Sequence, residues 1–445
     1  MPARFAGGGA GAGELTWSQR ELWDGMRLKR TWLPIGAAMR LPAGSTVEGA
    51  LAELRFLMSR YPSLRTRLRL DPDGPRQVVA AAGETRLEIV DAPDDADPAA
   101  VAEQVRKRYF NGNHDVVTDW PLRMAVIRHR GALTHRVWVF CHLATDGTGI
   151  QLMLQDLGAR PGPDGNGAPA PLEQVRWQRS PAGQRRSEAG LRHWEAILRR
   201  LPARRFPPRP ATPGPRYRLA LLDSPATLLA ARVIAARTGV EVASVLLAAY
   251  AVALARVTGI NPVVVQPTVS NRFRPGLART VSPIIQFGLC VLALPAGTVD
   301  EAVGYTRHRA IAAYKYAYHD PVRRAELVAR VGRERAEELD LSCYFNDSRL
   351  QPALAGPPPT SAQLRAALPA SRFQWLQQQD HRPFDRLFVT LENVPDSAEI
   401  EVAADLHHLA PGDLEGCVRG MEEVAVAAAL DPATRTQVPA ARGWL

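Results

Sequence analysis

Residues 137–147 read Val-Trp-Val-Phe-Cys-His-Leu-Ala-Thr-Asp-Gly, and the rest of the chain is best interpreted around them. Five apolar residues in succession, mostly β-branched or aromatic, predict a buried strand. The strand ends at His142, and Asp146 and Gly147 follow within a short turn. A strand that carries a histidine into a glycine-containing turn can hold a base rigidly at a cleft, so this turn is the candidate functional site.

The length and composition predict a soluble protein of two domains. A chain of 445 residues exceeds what one hydrophobic core usually supports, and 46% hydrophobic with 22% charged residues is typical of globular proteins. No apolar run reaches the roughly 18 residues of a membrane span. The four cysteines are scattered without a CxxC pair, which predicts reduced thiols, a cytoplasmic location and no metal site.

The formal net charge is +10, and all but three of the basic residues are arginine. Two interpretations stay open. One is a solvated basic surface, which a GC-rich coding sequence favours, and the other is a docking surface for an acidic protein partner. Nucleic acid and membrane are not expected partners, since the arginines are spread along the chain and are not interleaved with aromatic residues.

Both halves of the sequence mix helices with strands without regular alternation. Residues 47–61 have the apolar spacing of an amphipathic helix, and residues 241–257 are nearly all apolar, as in a deeply buried helix. Two α/β sandwich lobes fit this pattern better than one doubly wound sheet. A Gly/Pro-rich stretch at 158–171 marks the boundary between them. The predicted division is lobes at 14–172 and 173–430, with flexible tails at 1–13 and 431–445.

The turn suggests specific chemistry for its residues. His142 suits proton transfer near pH 7 if a backbone carbonyl of the turn fixes its tautomer. A buried Asp146 needs a cationic partner, and Arg272 is our candidate for a structural ion pair that joins the two lobes. Gly147 allows a backbone conformation closed to other residues and leaves room for a substrate. From the spacing alone, a core histidine beside a turn aspartate stays an open alternative.

Five segments of the chain carry a further pattern. They are residues 15–23 (LTWSQRELW), 60–68 (RYPSLRTRL), 141–147 (CHLATDG), 244–272 and 283–294. In this order they resemble the motifs of the condensation domains of nonribosomal peptide synthetases. Those domains belong to the superfamily of chloramphenicol acetyltransferase and the HxxxD acyltransferases.

The resemblance implies two chloramphenicol acetyltransferase-like lobes in a V-shaped pseudo-dimer with an active-site tunnel between them. It also implies a condensation enzyme of antibiotic biosynthesis that is monomeric and holds no cofactor of its own. Such an enzyme moves an acyl or aminoacyl group from the phosphopantetheine thioester of a carrier protein to an amine or hydroxyl acceptor. By this analogy His142 is the catalytic residue that deprotonates or positions the attacking amine or hydroxyl, and amide donors near Gly147 stabilise the oxyanion.

The sequence departs from the family pattern at three motifs, one of which is the tryptophan motif after the first lobe, reduced here to residues 175–178 (VRWQ). Cys141 replaces the first histidine of the motif, where the family places a structural residue. The segment at 287–290, Phe-Gly-Leu-Cys, lacks the family's asparagine, which would alter the tunnel floor. We expect Phe287, Cys343 and Asn346 to line the tunnel. Because the sequence contains no adenylation or carrier domain, it predicts a free-standing enzyme.

Two alternatives to the carrier-dependent enzyme stay open. One is an acyltransferase that uses free acyl-CoA, and the other is a catalytically silent module that recruits partners. Retention of His142, Asp146 and Gly147 argues against a silent module, whereas Cys141 argues for it. The sequence leaves open the acyl donor, a small-molecule or carrier-bound acceptor, and the choice between amide and ester.

Overall fold

The structure is a computed structural model that describes residues 1–159, 167–202, 206, 214–349, 356–378, 386–392 and 394–441. The chain divides into two units by its internal contacts. Unit 1 comprises Met1–Arg186 and Ser270–Gln286, and unit 2 comprises Ser187–Val269 and Phe287–Leu445. The predicted mixed α/β architecture is confirmed in both units.

Unit 1 contains two sheets and five complete helices among the described residues. Its strands are β1 (Pro2–Ala6), β2 (Gly11–Glu14), β3 (Pro34–Arg40), β4 (Thr66–Asp71), β5 (Gly74–Val79), β6 (Ala82–Asp91), β7 (Leu122–His129) and β8 (Ala132–Cys141). Its helices are α1 (Trp17–Lys29), α2 (Val47–Arg60), α3 (Pro98–Asn111), α4 (Gly147–Ala159) and α5 (Pro171–Arg179). The helix α6 (Pro181–Leu198) contains the boundary between the units.

The larger sheet of unit 1 has the order β1-β6-β7-β8-β3, and the smaller one has the order β2-β5-β4. In the larger sheet β6 and β7 run parallel, and the other neighbours are antiparallel. Side chains of β8 alternate between two cores. Trp138 and Phe140 pack in one core with α2 and α4, and Val137 and Val139 pack in the other with α1 and α3. Burial on both faces explains why residues 137–141 of β8 form a continuous apolar run.

Unit 2 is built on a mixed sheet with the order β10-β13-β15-β16-β9-β14, and β12 also pairs with β10. Its strands are β9 (Tyr217–Ser224), β10 (Val263–Ser270), β12 (Cys290–Leu292), β13 (Cys343–Asp347), β14 (Arg372–Gln378), β15 (Leu387–Glu392) and β16 (Ala398–Asp405), and β11 (Ile285–Phe287) spans the boundary. Its helices are α7 (Pro225–Thr238), α8 (Val242–Thr258), α9 (Val299–Lys315), α10 (Pro321–Arg335), α11 (Ser361–Ala367) and α12 (Pro411–Leu430).

The two helices predicted from apolar spacing are confirmed as α2 and α8. Helix α8 is buried from Val242 to Ala255 apart from Ala243, as its nearly uniform apolar sequence predicts. Within the described part of the chain, no single helix has both the length and the apolar composition to cross a membrane. Helices α7 and α8 reach that composition only as a pair, and the pair is bent by 112°.

The predicted flexible tails are wrong for the described residues. Residues 2–6 form β1, which pairs antiparallel with β6 and buries Ala3 and Phe5. At the other end, Arg435 forms a β-bridge with Thr298, and the fully buried Thr436 donates its hydroxyl to Pro295 O. Apolar and hydrogen-bonding contacts therefore order segments whose small and polar composition indicated disorder. Residues 442–445 of the predicted tail lie outside the described residues.

The division of the chain also differs from the predicted lobes. Helix α5 belongs to unit 1, because Trp17 N on α1 donates to Gln178 Oε1 on α5, at 3.2 Å. The first unit therefore continues past residue 172 to Arg186. Residues 160–166 of the predicted boundary stretch lie outside the described residues.

Candidate active site

The candidate site is the turn that connects β8 to α4 within unit 1. His142 follows the last residue of the strand, and its backbone N–H donates to Leu33 O at 3.1 Å. Ala144 N then donates to Cys141 O at 2.9 Å, which closes a tight turn. The rigid strand and the helix that begins at Gly147 thus position the histidine from both sides.

The side chain of His142 is held in one tautomer. Its Nδ1 lies 2.9 Å from Thr145 O, and a carbonyl oxygen only accepts hydrogen bonds. This contact assigns the proton to Nδ1 and leaves the lone pair of the neutral ring on Nε2. Among the described residues, Nε2 has no protein partner.

Burial lowers the pKa of His142 below its usual value, while the nearby Asp146 carboxylate and the carbonyl of Thr145 act in the opposite direction. The net lowering keeps the imidazole neutral near pH 7. A neutral histidine with an available Nε2 can accept a proton, which makes His142 a candidate general base.

Asp146 is almost fully buried and forms two hydrogen bonds with Arg272. Arg272 Nη1 donates to Asp146 Oδ2 at 2.8 Å, and Nη2 lies 2.7 Å from Oδ1. Gly149 N also donates to Oδ1 at 2.9 Å, which makes Asp146 the N-cap of α4. The carboxylate oxygens are thus committed to Arg272 and the helix, so Asp146 has a structural position.

Arg272 does not join the two units, which corrects that part of the prediction. It belongs to the segment Ser270–Gln286, which lies in unit 1 with Asp146. The same segment is attached to the turn through Thr145 Oγ1, which donates to Val281 O at 3.0 Å. Farther along α4, Arg279 pairs with the buried Asp156 at 2.8 Å. Two ion pairs and a buried hydroxyl contact explain why residues distant in sequence complete unit 1.

The special backbone conformation predicted for Gly147 is wrong, because its φ is not in the positive region that favours glycine. Among the described residues, apart from its chain neighbours and the backbone of its own helix, no heavy atom lies within 4 Å of the position where a Cβ on Gly147 would stand. This glycine therefore leaves open space beside the turn. The tight position is Gly149, where a Cβ would meet Val281 O at 2.2 Å. The amides of Gly147 and Thr148 have no acceptor in the described part of the chain. They remain able to donate to a ligand at the start of α4.

Cys141 is buried on the sheet face opposite Phe140, and its Sγ contacts Trp32 O at 3.5 Å. Burial raises the pKa of its thiol to about 12. Because the thiolate is the nucleophilic form, Cys141 is not poised as a nucleophile near pH 7. Its surroundings are those of a packing residue.

Two of the three residues predicted to line a tunnel, Cys343 and Asn346, lie on opposite faces of the unit 2 sheet. Cys343 is completely buried, and its Sγ lies 2.8 Å from the hydroxyl of Tyr250, so the prediction for Cys343 is wrong. Side chains alternate along β13, so Asn346 points to the other face of the sheet. Asn346 and Phe287 are both half-buried.

Phe287 lies beside two aromatic residues of unit 2 that were left out of the predicted tunnel lining, Tyr344 and Phe388. Phe287 meets Tyr344 edge to face at 4.7 Å between ring centroids, and Tyr344 stacks on Phe388 at 5.5 Å. Tyr344 and Phe388 are directly paired in the parallel register of β13 and β15. The alternation of side chains between the two sheet faces within residues 343–346 could have indicated Tyr344. No local sequence pattern reveals the pairing of Tyr344 with Phe388.

Sequence reasoning also missed Thr145 and Gln19 in unit 1. Thr145 supplies the carbonyl that orients His142, and Gln19 donates to Leu143 O within the same turn. Among the described residues, no group of three or more His, Cys, Asp or Glu side chains is arranged to hold a metal ion.

Comparison with known proteins adds an independent line of observation. A condensation-domain family model matches residues 43–286. Over 289 residues the chain is 31% identical to phosphinothricin tripeptide synthetase PhsC of Streptomyces viridochromogenes, which covers 59% of this chain and 26% of that protein. The chain therefore spans about a quarter of the length of PhsC, and smaller shares of the other curated relatives.

Two solved structures share the fold over nearly the whole chain. SgcC5 from Streptomyces globisporus is 19% identical with a TM-score of 0.71, covering 95% of this chain and 100% of that one. The X-domain from teicoplanin biosynthesis is 18% identical with a TM-score of 0.68, covering 96% and 97%. Sequence identities this low establish a shared fold but not a shared function.

Proposed function

This chain belongs to the condensation-domain family, and on that premise we propose that it is an acyltransferase that acts on carrier-bound substrates. It takes an acyl or aminoacyl group from the phosphopantetheine thioester of a carrier protein. The acceptor is an amine or a hydroxyl, and the product is an amide or an ester. The observation that carries the proposal is the neutral His142, which is locked by Thr145 O with Nε2 available.

The geometry supports a direct transfer without a covalent enzyme intermediate. The acceptor nitrogen or oxygen attacks the thioester carbon while His142 Nε2 takes its proton. The carbonyl oxygen becomes an oxyanion, for which the amides of Gly147 and Thr148 are suitable donors. The carbon–sulfur bond then breaks, and the proton on Nε2 passes to the leaving thiolate.

Asp146 and Arg272 act indirectly in this scheme. Their ion pair and the N-cap contact to Gly149 fix the end of the turn relative to α4. Cys141 fills the core behind the turn, and its buried thiol takes no part in proton transfer.

The test is product formation followed by intact-mass spectrometry with acyl-loaded carrier proteins. We expect His142→Ala to lower the transfer rate by a factor of about a hundred or more, the usual contribution of a general base. His308→Ala is the matched control, because His308 is an exposed histidine on α9. Its rate should equal that of the unmodified protein.

Three other outcomes would each contradict part of the proposal. Near-normal activity of His142→Ala would show that His142 is not the base. Turnover with acyl-CoA alone would favour the acyl-CoA-dependent alternative. Carrier binding without any turnover would favour a silent recruiting module. The presence of Cys141 in place of the first motif histidine argues for that function.

A further inference from the structure

Gln19 lies on the first turn of α1 and is 1% exposed. Its Oε1 accepts a hydrogen bond from Thr16 N at 2.9 Å, and its backbone N–H donates to Thr16 Oγ1 at 3.1 Å. This capping box fixes the orientation of the side-chain amide, because the oxygen faces the helix start. The NH2 group therefore points away from the cap.

The NH2 group of Gln19 reaches the catalytic turn. Nε2 donates to Leu143 O at 3.3 Å, and it also donates to Gln77 Oε1 at 3.5 Å. Gln77 is itself fully buried, and its Nε2 donates to Glu14 O at 2.8 Å. Both hydrogens of the Gln19 amide are thus used, and one of them holds a carbonyl inside the turn.

Leu143 stands directly after His142 and two residues before Thr145. Among the described residues, Gln19 is the donor to Leu143 O, and the His142 ring is the donor to Thr145 O. If the Leu143 carbonyl is released, the following peptide planes can rotate, and the Thr145 carbonyl loses its fixed direction.

We propose that Gln19 is a positioning residue for the acyl-transfer reaction. It holds the Leu143 carbonyl so that His142 stays in the tautomer with its proton on Nδ1. Gln19 contacts no reacting atom and acts only through the turn. The inference rests on the proposed function for its kinetic consequence. Its structural consequence, the tautomer of His142, can be measured without turnover.

The main test is Gln19→Met, which keeps a side chain of similar length and removes both donors. We expect kcat to fall about tenfold while KM for the carrier substrate stays within about twofold, because only the base is misplaced. In ¹⁵N NMR of histidine-labelled protein at pH 8, the unmodified protein should show His142 protonated on Nδ1. Gln19→Met should show a mixture of both tautomers, with His142→Ala identifying the signal.

The chain offers a matched control on α11. Thr360 and Gln363 form the same capping box, with Thr360 N donating to Gln363 Oε1 at 2.8 Å, but both residues are exposed. Gln363→Met removes the same cap without touching the turn. It should leave kcat and the His142 tautomer unchanged.

A second variant keeps the test decisive if Gln19→Met does not fold. Gln19→Glu retains an acceptor for the cap, as Glu301 does in the equivalent box with Thr298 on α9. The ionised carboxyl has no hydrogen to give Leu143 O, so kcat should again fall, and the tautomers should mix, at a pH where it is ionised.

The outcomes separate the inference from the proposed function. A pure Nδ1–H tautomer in both Gln19 variants, with kcat no lower than in Gln363→Met, would reduce Gln19 to a helix cap and overturn the inference. Mixed tautomers in a protein that transfers no acyl group would support the positioning role and count against the proposed function.

Discussion

At the level of single residues, the spacing of the His142–Asp146 motif has a structural explanation. His142 stands where β8 ends, and Asp146 stands where α4 needs an N-cap acceptor for Gly149 N. The three intervening residues form the turn, whose last carbonyl, from Thr145, orients the imidazole. The Asp146 carboxylate stabilises the helix start, whereas a backbone carbonyl orients the His142 ring, so the two motif residues have separate structural surroundings.

The buried ion pair allows a prediction about stability. Asp146→Asn keeps an oxygen for the N-cap and leaves Arg272, whose side chain is 9% exposed, without its counter-ion. We expect the free energy of unfolding to fall by about 3 kcal/mol, as measured by urea denaturation. Asp24→Asn is the control, because Asp24 pairs with Arg20 on the surface and should cost less than about 1 kcal/mol. Equal effects of the two substitutions would contradict the structural role of Asp146.

A second residue-level prediction concerns His114, whose ring stacks on Trp32 at 4.7 Å. Burial lowers the pKa of His114 to about 4; Arg123 adds to the lowering, while Asp119 and Asp115 oppose it. The unfolded chain has a histidine pKa of about 6.5, so it binds the proton first as the pH falls. Between about pH 6.5 and 4 the folded state therefore loses stability, by about 3 kcal/mol in total for this group.

The measurement is urea unfolding at pH 7, 5.5 and 4 for the native protein and for His114→Phe, which keeps an aromatic ring against Trp32. The variant should lose about 3 kcal/mol less between pH 7 and pH 4. His308→Phe, at an exposed histidine, should retain the native pH dependence. An unchanged dependence in His114→Phe would show that His114 titrates normally in the folded state.

The candidate site could be predicted only where its contacts are encoded locally. A strand that ends in a histidine, followed by an aspartate and glycines, placed His142 and Asp146 correctly in one turn. The contact of Gln19 with Leu143 joins residues 124 positions apart, which no local pattern reveals. Cys343 was assigned to the wrong sheet face, since the phase of a short strand is set by the packing of its neighbours.

At the level of elements, burial decides which strands the sequence reveals. Strand β8 lies between two cores, so its continuous apolar run gave a clear prediction. Strand β1 gave none, because only Ala3 and Phe5 point inward and the segment around them is rich in glycine and alanine. The pairing of β1 with β6 is a long-range contact, which no local pattern reveals. The glycines that indicated disorder instead allow the turn after the strand, where Gly9 has a φ of +80°.

The packing of β1 gives a prediction for the whole of unit 1. Phe5 is 5% exposed and meets Trp120 edge to face at 5.1 Å. We expect Phe5→Ala to lower the free energy of unfolding by about 3–5 kcal/mol, because it leaves a cavity in the core. Leu70→Ala, at a side chain that is 56% exposed, should cost well under 1 kcal/mol. A small effect of Phe5→Ala would mean that β1 contributes little to the fold.

At the level of the whole molecule, the chain leaves unit 1 and returns to it. The segment Ser270–Gln286 follows about eighty residues of unit 2 and supplies Arg272 and Arg279 to the buried carboxylates on either end of α4. A boundary drawn from a Gly/Pro-rich stretch assumes that each domain is continuous in sequence. Such a boundary cannot detect a returning segment, which is recognised only from its tertiary contacts.

The net charge of +10 leads to the last prediction, which depends on the proposed function. Carrier proteins of the expected kind are acidic. Their association rate with this protein should therefore fall at least severalfold as ionic strength rises from about 0.01 M to 0.15 M, because the Debye length shortens from about 30 to 8 Å. Stopped-flow binding measures this rate. Helix α1 ends in three basic residues, Arg27, Lys29 and Arg30, so we take this α1 surface as the candidate docking site. Arg27→Glu, at an exposed position there, should slow association more than Arg365→Glu on α11, which changes the net charge equally. Equal slowing would assign the attraction to net charge rather than to the α1 surface, and a rate independent of salt would show that the arginines serve solubility alone.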